Sequence, residues 1–314
     1  MRNQRYWPRI ESKRCIDGRR LVAAALAACL IAGNAGAVEP GEEALSSICV
    51  DAATGAVVSE HNADQARPPA SMIKLVMMLL VAEGVDRGAW ALERPITATA
   101  HAQQMGGTQV YVEAGDVFEL GHLMKAVAVA SANDAAMAVA EGLWGSEATY
   151  LETANARAMS LGMKNSDFHS VHGLPPSKGE LPDKTTAREM AILARACLTH
   201  AQIREWVSMK EFQFRPEDTI HYNTNKLLWR MENCDGLKTG YIRAAGYCVT
   251  ATAERGGRRM IAVVMGHPNG NRRFKLAEEL IDAGFGPAQG AVAAAGEAEP
   301  GGTAETPEIE ALDK

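Results

Sequence analysis

Apolar and polar positions alternate from residue 46 to 60 (SSICVDAATGAVVSE) on either side of Thr54-Gly55, and this period of two predicts a hairpin of two strands. The texture changes after Pro68-Pro69. From Ala70 to Val85 the chain reads ASMIKLVMMLLVAEGV, apolar around almost the whole helical circumference, which predicts a helix enclosed by other structure. Between Leu120 and Met163 an Ala-rich pattern of helical spacing is interrupted at Ala130-Ser131-Ala132-Asn133, and an amphipathic helix fits Thr185 to Leu198. Strand texture returns after Phe212. Segments from Leu237 to Ile242, Tyr247 to Ala253 and Met260 to Met265 are separated by turns at Ala244-Ala245-Gly246 and Gly256-Gly257, and predict three consecutive antiparallel strands. A helix from Arg272 to Ala283 closes the pattern. The early hairpin and late strands can share one sheet with helices between them in sequence, an α+β arrangement.

The two ends differ from this middle. A basic segment from Arg2 to Arg20, an apolar run from Leu21 to Ala32 and Ala35-Gly36-Ala37 predict a secretory signal peptide over 1–37. The run falls short of the roughly 20 apolar residues of a bilayer span, so no membrane span is expected after processing. Leu26-Ala27-Ala28-Cys29 offers a competing reading, lipidation of Cys29, against which stand the apolar Leu30 and Ile31 that follow. Residues 287–314 are rich in Ala, Gly, Pro and Glu and lack aromatics, which predicts a disordered acidic tail and leaves 38–286 as the folded unit.

Composition narrows the function classes. A net charge of -6, with no Lys/Arg stripe beyond the amino terminus, excludes a phosphate-backbone binder, so no nucleic acid partner is expected. Of six cysteines, Cys49, Cys197, Cys234 and Cys248 remain after processing. The predicted turn between Cys234 and Cys248 sets Cys248 opposite a residue near Gly240, so free buried thiols are expected. Neither H-E-x-x-H nor a paired Cys/His pattern occurs, and no metal site is expected.

The chemistry begins with Ser71 and Lys74, which leave one face of the buried helix about a turn apart. A lysine at the head of an apolar helix loses hydration, and desolvation favours its neutral form, a base able to take the serine proton. Backbone N–H groups at the helix start can stabilise an oxyanion. S-x-x-K alone is weak, since a serine before a helix is commonly an N-cap. Its ordered company is specific: Ser131-Ala132-Asn133 at a helix break and Lys238-Thr239-Gly240 in a strand complete the signature shared by penicillin-binding proteins and class A β-lactamases. Ser131 can relay a proton, Asn133 can bind a substrate amide, and Lys238 and Thr239 offer charge and a hydroxyl to a terminal carboxylate. Gly240 would let substrate lie against the strand as an added edge.

These motifs, with Met105-Gly106-Gly107-Thr108, Leu161-Gly162-Met163, His172-Gly173-Leu174, Asn225-Lys226-Leu227-Leu228 and Ala245-Gly246-Tyr247-Cys248, make residues 42 to 285 resemble the low-molecular-mass penicillin-binding proteins, the serine D-alanyl-D-alanine carboxypeptidases. The resemblance implies a β-lactamase/transpeptidase-like fold, a five-stranded antiparallel sheet flanked by helical clusters, with no metal and no cofactor. It implies acylation of Ser71 by the penultimate D-Ala of a peptidoglycan stem peptide, Lys74 as base, Ser131 and Asn133 as proton and amide contacts, and a carboxylate site at Lys238 and Thr239. An oxyanion hole from the amides of Ser71 and Tyr241, β-lactams as covalent inhibitors and a periplasmic or cell-envelope location follow from it too. Ala132 replaces the family's usual Gly, and Ile242 stands where Thr is common. The residues after Gly286 do not show the pattern of the amphipathic carboxy-terminal helix of larger members, so attachment to a membrane through the tail is not expected.

Three alternatives stay open at this level. A D,D-endopeptidase uses the same machinery. A β-lactamase needs a Glu that activates the deacylating water; Glu180 lies in the interval between the second and third motifs, in a setting unlike that family's loop. A muropeptide or β-lactam sensor would acylate once or only bind. His172 lies in a Gly-Pro loop without a nucleophile elbow and is expected to be structural.

Overall fold

The computed structural model describes residues 46–286, so the predicted signal peptide, Cys29 and the acidic tail lie outside the described residues. The first hairpin pairs β1 (Ser46–Asp51) with β2 (Val57–His61) around Thr54-Gly55, where Asp51 accepts the amides of Ala53 and Thr54. A 3-10 turn (Ala70–Ile73) then leads into α1 (Lys74–Asp86). The predicted single helix is therefore split at Lys74, and Ser71 sits in the tighter turn. Three residues per 3-10 turn eclipse positions i and i+3, which places Ser71 beside Lys74 more directly than an α-helix would.

Short strands β3 (Pro95–Thr97) and β4 (Val117–Glu119) pair around α2 (Ala100–Gln103). The Ala-rich stretch forms α3 (Leu120–Val129), α4 (Asn133–Trp144) and α5 (Glu147–Ser160). The break at 130–132 was predicted. A second one arises at Gly145, left-handed at φ 79°, and Ser146, whose hydroxyl caps α5 by accepting the Thr149 amide. Then come α6 (Ala187–Leu198), capped by Thr186, and α7 (Ala201–Ser208). The two-residue strands β5 (Glu211–Phe212) and β6 (His221–Tyr222) and the turn α8 (Leu227–Arg230) lead to the late strands. These are β7 (Cys234–Ile242), β8 (Gly246–Arg255) and β9 (Arg258–His267), followed by α9 (Arg272–Phe285).

One antiparallel sheet takes the order β2-β1-β9-β8-β7, so the early hairpin joins the late strands through β1 and β9. Alternate residues of β9 enter different cores. Ile261, Val263 and Met265 pack with α1 and the helical lobe, whereas Met260, Ala262 and Val264 pack with α9. Both faces being covered explains why β9 reads as an unbroken apolar run. α1 is buried from Leu75 to Ala82, as the sequence predicts. The register sets Cys248 opposite Gly240 and Cys234 opposite Ala253, and all four described cysteines are free thiols. No helix among the described residues is long and apolar enough to cross a membrane.

Candidate active site

Three segments meet at the open edge of β7: the 3-10 turn bearing Ser71, the α3–α4 junction bearing Ser131 and Asn133, and β7 itself. Ala70 enters its turn with φ 48° and Ser131 its junction with φ 61°, left-handed conformations that side-chain-bearing residues adopt only when packing enforces them. Gly173 presses on the first turn, since a Cβ there would lie 2.2 Å from the Ala70 carbonyl oxygen.

Lys74, 0% exposed, carries the central amine. Its Nζ lies 3.0 Å from Ser71 Oγ, 2.7 Å from Asn133 Oδ1 and 3.1 Å from the His172 carbonyl oxygen. Burial holds its pKa well below the usual lysine range; the charge of Lys238 acts in the same direction, and Asp134 and Asp183 act against it. The three acceptors suit both protonation states. An ammonium donates to all three. A neutral amine donates its two N–H groups to the Asn133 and His172 carbonyls and is left with its lone pair toward Ser71 Oγ.

Asn133 is held in turn. Its Nδ2 donates to the Gly106 carbonyl at 2.6 Å, its backbone N–H to Thr108 at 2.8 Å, and one side-chain N–H remains for a ligand. Gly107 has φ 76°, and a Cβ there would stand 2.6 Å from Asn133 Nδ2, which explains Gly in the Met105–Thr108 motif. Asp134, fully buried, accepts the amides of Val110, Val112 and Ala135 and so ties that loop to α4. Ser131 is nearly buried and makes no side-chain hydrogen bond among the described residues. The Lys74 amine is met by Asn133 and His172 instead.

On β7, Lys238 is buried, with its pKa lowered to about 7 by desolvation and then by the charge of Arg273. Arg273 donates to the carbonyls of Gly240 and Cys248 at 3.1 and 3.0 Å and lies over the rings of Tyr247 and Phe274. The Thr239 hydroxyl donates to Thr224 Oγ1 at 2.6 Å. Tyr241 is 53% exposed and stacks on Tyr247, with ring centroids 4.2 Å apart. Gly240 meets a requirement that the sequence did not show. A Cβ on it would meet the Pro69 carbonyl at 2.7 Å and both Ala70 Cβ and Ser71 N at 3.1 Å, so glycine is required here by the turn that carries the nucleophile. The same contact sets the Ser71 amide beside β7, where the next amide is that of Tyr241.

The structure thus gathers Ser71, Lys74, Asn133, Lys238, Thr239, Gly240 and Tyr241. Thr224, Arg273, the Gly106 and His172 carbonyls and Asp183 were not legible as site residues. Backbone carbonyls carry no sequence signal, and the others lie far along the chain. The His172 side chain is structural, as expected: burial, then Lys74, lower its pKa to about 4, and the neutral ring accepts the Leu174 amide. Glu180 is exposed and accepts the Ser177 amide in a local turn. Among the described residues no His, Cys, Asp and Glu cluster is arranged to hold a metal ion.

Fold and site define a class of α+β proteins built around a half-buried serine beside a buried lysine, where a helical lobe meets the edge of an antiparallel sheet. A family model described as D-alanyl-D-alanine carboxypeptidase matches residues 34–269, and the chain belongs to that family. It is 34% identical over 250 residues to the D-alanyl-D-alanine carboxypeptidase DacF of Bacillus subtilis, covering 79% of this chain and 63% of that one. It is also 34% identical to DacC of Escherichia coli over 78% of this chain and 62% of the relative, so it spans somewhat under two thirds of these relatives' length. Among solved structures, penicillin-binding protein 6B of Escherichia coli matches with a TM-score of 0.73 at 30% identity, over 78% of either chain. Penicillin-binding protein D2 of Listeria monocytogenes, in its ampicillin-bound form, matches with a TM-score of 0.69 at 29% identity, over 77% of this chain and 97% of that one. The five-stranded antiparallel sheet expected from the resemblance is the one observed.

Proposed function

We propose that the chain is a serine D-alanyl-D-alanine carboxypeptidase that removes the terminal D-Ala from peptidoglycan stem pentapeptides through an ester on Ser71. The observation that carries this reading is the Lys74 amine, buried, depressed in pKa and held by two carbonyls with Ser71 Oγ 3.0 Å away. Lys74 takes the hydroxyl proton as Ser71 Oγ attacks the penultimate carbonyl, and the Ser71 and Tyr241 amides receive the oxyanion. The leaving D-Ala amine is protonated by way of Ser131 from Lys74, and water then hydrolyses the ester. Lys238 and Thr239 hold the terminal carboxylate, and the free N–H of Asn133 meets the donor peptide amide.

Penicillin-binding protein D2 of Listeria monocytogenes has been solved in ampicillin-bound and cefotaxime-bound forms, which supports β-lactams as ligands that acylate Ser71 here. The substrate places the enzyme in the cell envelope, in the periplasm once the 1–37 segment has been removed. Incubating residues 38–314 with a peptide ending in D-Ala-D-Ala should release D-alanine, detected by mass, and Ser71→Ala should release none. No release with stable penicillin labelling of Ser71 would indicate an endopeptidase or a sensor, and no labelling would overturn the acyl-serine reading.

A further inference from the structure

The His172 carbonyl completes the shell of Lys74, and its position depends on a loop with almost no regular secondary structure. Every backbone N–H from 169 to 171, and those of 173 and 174, is satisfied by a side chain. His169 and Ser170 donate their amides to Asp183 Oδ1 at 2.6 and 3.0 Å, and the Ser170 hydroxyl donates to Asp183 Oδ2 at 2.7 Å. The Gly173 amide donates to Ser170 Oγ at 2.8 Å, and Val171 donates to Glu147 at 3.3 Å. Asp183 is 7% exposed, and three donors with no acceptor among its partners make a shell suited to a carboxylate.

We infer that Asp183 is a positioning residue for acyl transfer: through Ser170 it clamps both sides of His172 and so sets the carbonyl that receives one proton of the Lys74 amine. The inference rests on the proposed acyl-serine chemistry. A neutral amine directs its lone pair at Ser71 only while both carbonyl acceptors are in place. Release the loop, and the His172 carbonyl drifts, the amine turns an N–H toward Ser71 Oγ, and proton transfer slows. Lys238 and Thr239 on β7 are untouched, so the loss falls on kcat and not on KM.

The variants are Asp183→Ala, Asp183→Asn and Ser170→Ala, with the wild-type chain as reference. D-alanine release from a D-Ala-D-Ala peptide, the rate of acylation by a fluorescent penicillin, and thermal unfolding are measured on each. Asp183→Ala should lose about 10- to 100-fold in kcat and acylation rate with KM within about twofold, the scale of a displaced orienting group. Asp183→Asn keeps an oxygen for both amides and an N–H for Ser170 Oγ, and should recover at least about fivefold over Asp183→Ala. Ser170→Ala, which keeps the carboxylate and its two amide donors but removes the hydroxyl that links Asp183 Oδ2 to the Gly173 amide, should lose about 10-fold and decides the matter if Asp183→Ala does not fold. Folded variants that acylate within twofold of wild type overturn the inference, as does an Asp183→Asn no better than Asp183→Ala. A wild-type chain that neither releases D-alanine nor labels overturns the acyl-serine reading instead.

Discussion

Burial strips Lys74 and Lys238 of hydration, so both release protons more readily than a lysine in water, and the proposed chemistry uses them in opposite states. Lys74 acts as a neutral base. Lys238 must be charged to attract a carboxylate. Activity should therefore rise with pH as Lys74 loses its proton and fall again as Lys238 does, near 7 in the free enzyme, and later once a bound carboxylate has stabilised the ammonium. The falling limb should appear in kcat/KM more than in kcat. A substrate whose terminal carboxylate is amidated should lose that limb and bind weakly at every pH, as pH profiles of the two substrates would show. Equal alkaline limbs for both would assign it to another group.

At the scale of elements, the nucleophile's turn is held from two sides by glycines whose missing side chains are filled by backbone, Gly240 on β7 and Gly173 on the loop after α5. Gly240→Ala should push β7 away from the Ser71 turn. The cost should be about 1–3 kcal/mol, as for other overpacked sites, read as a lowered Tm. Because the same contact brings the Ser71 and Tyr241 amides together, acylation should fall by about 10²-fold or more, the scale of a lost oxyanion donor. A variant with lowered Tm and undiminished penicillin acylation would separate the turn's packing from the oxyanion site. Arg215 secures another junction: it donates to the carbonyls of Val110 and Tyr111 and pairs with Asp116, tying the β5–β6 segment to the loop that holds Asn133.

Across the whole molecule, one core runs from the inner face of the sheet through α1 into the helical lobe, so the three segments of the site stand on a shared foundation. Cys197 and Cys248 belong to this core, and Cys49 and Cys234 to the second one against α9, all as apolar side chains. Cys49, Cys197 and Cys248 are buried, and desolvation raises the thiol of Cys49 to about 12 and those of Cys234 and Cys248 to about 11. Reductant should leave both Tm and acylation rate unchanged, and a thiol reagent should modify the native chain slowly and the denatured chain fast. A Tm that falls on reduction would overturn the free-thiol arrangement.

Much of this was legible along the chain, because period-two alternation, an all-apolar helix and turn glycines are local consequences of burial and backbone geometry. The five strands of the main sheet, the buried α1, the helix break at 130–132 and the pairing of Cys248 with Gly240 follow from such patterns, whereas the short strands β3 to β6 do not show in them. So do Ser71 and Lys74, which their spacing alone brings together. The sequence by itself determined which side chains can do the chemistry. Tertiary structure decided what surrounds them: the split of the predicted helix at Lys74, the His172 and Gly106 carbonyls, Thr224 under Thr239, Arg273 behind Lys238, and Asp183 beneath the loop. Those contacts join positions distant in sequence, many through backbone atoms that every residue carries alike, so only packing specifies them.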